Sequence, residues 1–133
     1  MDEHIENTEK VINHWRQSAD QHWVTLQNLL ITKDFSWALF MGHLVLEKLL
    51  KALYVQKFQK HAIFSHDLLR LARKTELDTT EEQEEWLDEI TTFNLNARYD
   101  SYKQNFQQRC TFEFTKEWVS KIEILKKWLI SQF

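Results

Sequence analysis

The chain of 133 residues contains no proline, a single glycine at Gly42 and a single cysteine at Cys110. Tight antiparallel turns draw heavily on glycine and proline. Their near absence argues against a sheet-rich fold and leaves an all-α one. One cysteine excludes both an intramolecular disulfide and a cysteine-built zinc site, and it fits a reducing compartment. One glycine also excludes a glycine-rich phosphate loop. The opening residues, MDEHIENTEK, lack the basic start and apolar stretch of a secretory signal. No apolar run approaches the roughly 20 residues of a membrane helix. The expectation is therefore a cytoplasmic protein with no membrane partner. A net charge of −3 provides no overall field to gather a polyanion, so any contact with nucleic acid must use a local patch. The histidines His4, His14, His22, His43, His61 and His66 do not read as a metal set. His14 and His22 could share a helix face, but Ser18 between them is a poor ligand. No metal and no cofactor are expected.

What the chain has is apolar bulk: 43% hydrophobic residues, with six tryptophans and nine phenylalanines. That is enough for one core, and residues 1–133 read as a single domain. Ile12, Trp15, Ala19, Trp23, Leu26 and Leu30 recur at helical spacing and predict a helix from about Glu6 to Ile31. Asp34 is placed to cap a second helix, Phe35 to Gln59, whose apolar face is wide enough for the most buried element. Gly42 inside it costs about 1 kcal/mol against alanine, a cost that close approach of another helix would offset. Ser65 reads as the cap of a short helix from about His66 to Lys74. Thr80 and Gln83 form a capping box that opens a helix through Trp86, Ile90, Phe93 and Ala97. A polar loop from Arg98 to Thr111 then leads to a last helix bearing Phe114, Trp118, Ile122, Leu125 and Leu129. The sum is an up-and-down four-helix bundle with one additional short helix.

Charge is segregated. Lys48 to Lys74 holds seven basic residues against Asp67 alone, and Glu76 to Glu89 holds eight acids and no base. This pattern fits either two solvated faces or a polar partner. Within the second helix His43, Glu47 and Lys51 follow at i, i+4 and i+8 and stack along one side. Taken alone they read as a surface stripe whose ion pair contributes about 0.3–0.5 kcal/mol. Trp37, Phe40, Phe106, Phe112 and Trp128 fall outside the main apolar stripes and are candidates for a self-association surface.

The EKLLKAL core of the second helix, the HDLLRLA step and the NARYDSYK end of the following helix come in an order that resembles the HEPN family (higher eukaryotes and prokaryotes nucleotide-binding domain). The placement of Trp15, Ala19 and Asp20 agrees, and the likeness spans roughly residues 7 to 130. The resemblance implies a helical bundle that forms a homodimer. It also implies a possible nucleotidyltransferase partner in a toxin–antitoxin-like pair. Some relatives are metal-independent RNases in which an arginine near the end of the late helix is followed, four to six residues on, by a histidine. The arginine then stabilises phosphoryl charge while the histidine moves a proton.

Arg98 matches that arginine, but no histidine follows it, and Lys103 stands where one is expected. A lysine can hold a phosphate, yet it is a poor base at neutral pH. A tyrosine slightly beyond the histidine is modified in some relatives; here that position is Asn105, and Tyr102 comes too early. The reading is therefore a nucleotide- or RNA-contacting module with Lys51, His66, Arg98, Tyr102 and Lys103 as candidate contacts and no assigned catalytic residue. Two alternatives stand beside it. One is an RNase that uses Arg98 with a non-standard proton carrier, Lys103 or His66. The other is a purely structural subunit in which Arg98 pairs with Glu47 or Asp100.

Overall fold

The computed structural model describes residues 7–133; the expected helix start at Glu6, like His4, lies outside them. Among the described residues there are six helices and no strand: α1 (Thr8–Ile31), α2 (Phe35–Phe58), α3 (Leu68–Lys74), α4 (Glu81–Arg98), α5 (Asp100–Arg109) and α6 (Phe112–Ser131). The all-α bundle is as the sequence implies, with α1, α2, α4 and α6 as its long members and α3 as the short one. The central element is α2, which packs against α1, α3, α4, α5 and α6.

Local signals set most boundaries. The Asn7 side chain accepts a hydrogen bond from the Lys10 amide at 3.1 Å and starts α1. Asp34 precedes α2 but makes no side-chain cap; its carboxylate instead accepts from the Thr32 hydroxyl at 2.6 Å. Thr80 and Gln83 complete both halves of the capping box at the start of α4. The short helix α3 begins two residues later than expected, because Asp67 rather than Ser65 is its cap. Ser65 serves the turn before it, where its hydroxyl accepts from the Asp67 amide at 3.1 Å.

Gly42 lies where α2 meets α6. A methyl group added there would sit 2.5 Å from Cδ1 of Ile122, so the absent side chain leaves the space that the Ile122 side chain fills. Phe93 of α4 is fully buried and gathers Phe106, Phe114 and Trp118 around it, with ring centroids 5.4, 6.3 and 5.6 Å away.

The segment expected to be a polar loop is the helix α5. Tyr99, at φ −87° and ψ 128°, is both the last cap of α4 and the first of α5, so one extended residue is the whole connection. Only Phe106 is buried in this helix, and one apolar residue cannot display a 3.6-residue period. That burial also removes Phe106 from the candidate association surface. Phe40 and Trp128 pack against the core from its edge, whereas Phe112 is largely exposed.

Candidate functional site

The stripe His43, Glu47, Lys51 is not at the surface. All three are buried, with relative exposures of 0%, 1% and 6%. The spacing places them on one face, as expected, but that face is covered. Trp15 of α1 lies over Lys51, whose Nζ is 5.4 Å from the ring centroid, and the chain between α2 and α3 folds back over the rest.

The covering chain is fastened at one residue. The buried His43 Nε2–H donates to the main-chain carbonyl of His66 at 2.8 Å. The His66 ring in turn donates from Nδ1 to Glu47 Oε1 at 2.8 Å. Lys51 Nζ donates to the other carboxylate oxygen, Oε2, at 3.0 Å. Glu47 is thus held on both oxygens by residues from two elements, as a buried carboxylate must be. The His66 ring remains about half exposed. With Nδ1 committed to Glu47, its Nε2 has no hydrogen-bond partner among the described residues.

The exposed side of His66 forms one wall of a cleft of about 230 Å³, lined also by Asp67, Thr91, Asn94, Leu95, Arg98 and Tyr99. Arg98 reaches it from the last turn of α4. Its Nε donates to the Asn94 carbonyl at 3.0 Å, and its guanidinium lies near the rings of Phe40 and Tyr99, 5.7 and 5.5 Å from their centroids. It forms no ion pair with Glu47, Asp100 or any other described carboxylate. The side-chain carbonyl of Asn94 is buried without a hydrogen-bond partner. Larger recesses along α1 and between α3 and α4 are lined by none of the buried clasp.

Of the sequence-derived candidates, His66 and Arg98 share this cleft. Lys51 does not line it and reaches it only through Glu47 and His66. Lys103 lies over Trp37 at 5.4 Å, and Trp37 meets Phe40 edge-on at 5.8 Å. Two adjoining aromatic rings, Trp37 and Phe40, therefore link Lys103 at one end to Arg98 at the other. Tyr102 is half-exposed on α5, outside the cleft lining. The groups that sequence reasoning does not assign are His43 and Glu47, visible as a stripe but read as surface, and Asn94, Thr91 and Tyr99. Among the described residues no cluster of three or more histidine, cysteine, aspartate or glutamate side chains could hold a metal. No helix is long and apolar enough to cross a membrane.

Electrostatics fixes the protonation states of the clasp. Burial alone would raise the Glu47 carboxyl above its usual value. The hydrogen bonds from His66 and Lys51 and the Lys51 charge outweigh it and hold the group below that value. Burial pushes the His43 imidazole below its ordinary value of 6.5, against the partial offset of its bond to the His66 carbonyl. His43 is therefore neutral when folded, with the proton on Nε2. In both groups the unfolded chain binds protons more readily than the folded one, so both stabilise the fold above their unfolded pKa values and lose that contribution as pH falls. For His43 the loss begins as pH drops through about 6.5; for Glu47 it begins near 4.5. Unfolding free energy should fall between pH 7.5 and pH 5 with a slope of up to about 1.4 kcal/mol per pH unit for each such histidine. His22, also lowered by burial, adds to this. His43→Gln should flatten the slope relative to wild type in urea titrations at matched pH; an unchanged slope would mean that His43 does not titrate in the folded clasp.

An all-helical bundle with an arginine at the end of its late helix, facing a polar clasp on its central helix, defines a class of protein rather than an activity. The profile of the HEPN domain matches residues 12–132, and the chain belongs to that family. A search of curated protein sequences finds no significant match. Among solved structures the fold is shared with the crystal structure of TT1696 from Thermus thermophilus, with a TM-score of 0.80 and 19% identity, over 92% of this chain and 98% of that one.

Proposed function

We propose that this HEPN protein is a binding module that contacts the phosphate of a nucleotide or of RNA through the cleft between His66 and Arg98. The observation that carries the reading is the state of Arg98. A guanidinium with no carboxylate partner, set in a concave site beside an imidazole, is suited to a phosphate anion. The cation–ring run toward Lys103 offers stacking and charge to a strand that extends beyond the cleft. Lys51 is assigned to holding Glu47 rather than to direct contact. The protein acts as a homodimer and pairs with a nucleotidyltransferase in a toxin–antitoxin-like arrangement. Family membership and the exposed Phe64 and Phe112 support this assembly, and co-purification with mass measurement tests it.

Binding of a labelled single-stranded oligoribonucleotide, read by fluorescence anisotropy at a fixed low salt concentration, tests the cleft. Arg98→Ala should weaken binding about tenfold or more, the scale of a lost hydrogen bond to a charged group, with little change in melting temperature. Unchanged affinity together with a large drop in melting temperature would make Arg98 a structural residue and remove this reading.

A further inference from the structure

We infer that the groove between the C-terminal end of α1 and the N-terminal half of α6 binds a small monocarboxylate whose apolar body is a flat ring system. The groove shares no lining residue with the cleft of His66 and Arg98. Both α1 and α6 pack on α2, and they run antiparallel to each other. At one end their seam is closed by Arg16 over the Phe133 ring and by Lys126 over the Trp23 ring, each 4.2 Å from the centroid. The same register continues to Leu30 opposite Val119 and to Lys33 opposite Lys116. No such cation–ring pair fills the seam there. What is left is a groove of about 350 Å³ whose apolar walls are Leu30, Phe35, Phe112 and Val119. Its size is that of a small-molecule site.

Charge and hydrogen bonding select the ligand. Lys33 and Lys116 line the groove from opposite sides, and neither forms an ion pair among the described residues. Asp34, beside Lys33, accepts from the Thr32 hydroxyl instead, and Glu113 and Glu123 pair with neither lysine. Two cations facing across a groove repel, and an anion between them makes both contacts favourable. Thr115, which also lines the groove, is 1% exposed, and its hydroxyl has no hydrogen-bond partner. Thr25, Thr75 and Thr91 by contrast each donate to the carbonyl four residues back. A buried hydroxyl left unpaired is rare, and a carboxylate oxygen is the acceptor it lacks. A helical threonine has two χ1 settings, so one rotation turns that hydroxyl toward the ligand. The N-termini of α2 and α6 meet at this end, and their dipoles add to the positive field. The Phe35 and Phe112 rings, with centroids 6.3 Å apart, offer the faces against which a flat ring packs. Glu123 lines the groove two helical turns from Lys116, about 10 Å along the axis. It disfavours a second anionic group at that end and so restricts the ligand to one carboxylate.

The probe is naphthoate, titrated into the full chain by calorimetry, with naphthylmethanol as its uncharged counterpart. Naphthoate should bind about tenfold or more tightly than the alcohol, the scale of charge-assisted contacts. The variant Lys33→Met/Lys116→Met should remove most of that difference. Both side chains are exposed, so its melting temperature should stay within about 2 °C of wild type. Thr115→Val keeps the shape of the side chain and drops the hydroxyl, which separates a ligand contact from a structural one. It should weaken naphthoate by about threefold or more and leave the melting temperature of the free protein unchanged or higher. Equal affinity for naphthoate and the alcohol would overturn the inference. So would a double-lysine variant that binds naphthoate as wild type does. No binding of naphthoate by wild type overturns it too, including the case in which a second copy of the chain fills the groove and Phe112→Glu turns a dimer into a monomer.

Discussion

Replacing Lys51 by methionine should destabilise the protein by about 3–5 kcal/mol at neutral pH, the range for removing one partner of a buried ion pair. Methionine keeps much of the apolar stem that lies beside Trp15 but takes away the ammonium on Glu47 Oε2. The carboxylate is then left almost fully buried with His66 as its one remaining hydrogen-bond partner, on the other oxygen. The expected response is uptake of a proton by Glu47, which in turn weakens its hold on the His66 ring. Urea or thermal unfolding measures the loss. The double variant Glu47→Gln/Lys51→Met removes both charges and should recover a substantial part of it, because the uncompensated charge, rather than the missing attraction, dominates the cost. A loss under about 1 kcal/mol for Lys51→Met would place the pair at an exposed, solvent-screened site, contrary to the geometry described above.

Phe93→Ala should cost a similar amount, about 3–5 kcal/mol, for a different reason. The ring is fully buried and stands among Phe106, Phe114 and Trp118. Truncation loses its transfer free energy and leaves a cavity whose walls are rings from three other positions, which cannot close in without leaving their rotamers. A domain of this size has about 5–15 kcal/mol of stability in all, so the melting temperature should fall by about 10 °C or more. Phe93→Leu refills part of the space and should recover part of the loss. A fall of only one or two degrees for the alanine variant would mean that these rings are not a packed unit.

The long helices are legible in the sequence because each carries several apolar residues at helical spacing, and Thr80 with Gln83 marks a helix start without ambiguity. The helix α5 is not, since a single buried phenylalanine has no periodicity and its tie to Phe93 is a tertiary fact. The candidate site is half legible. Arg98 and His66 are singled out by their motifs, and Lys51 by the stripe it shares with His43 and Glu47. Nothing in that stripe reveals that it is buried. Residues at i, i+4 and i+8 look the same whether water or a returning chain covers them, and the cover here comes from a segment whose position is decided by its bonds to the very residues it hides. The exchange of roles between Ser65 and Asp67 has the same character. Either residue can cap a helix, and the choice depends on where the incoming chain is fastened at His66.

The single-residue joint at Tyr99 has a consequence for how this protein opens. The helix α5 buries Phe106 alone against the core; its remaining ties are solvent-facing ones, the ion pair of Arg109 with Glu89 and the contact of Lys103 with Trp37. A segment with few buried contacts is expected at the low end of local stability, opening more readily than the core helices. Because the joint borders the cleft, local opening of α5 would turn the Tyr99 ring out of the site while the clasp between His43, Glu47 and His66, which α5 does not touch, stays in place.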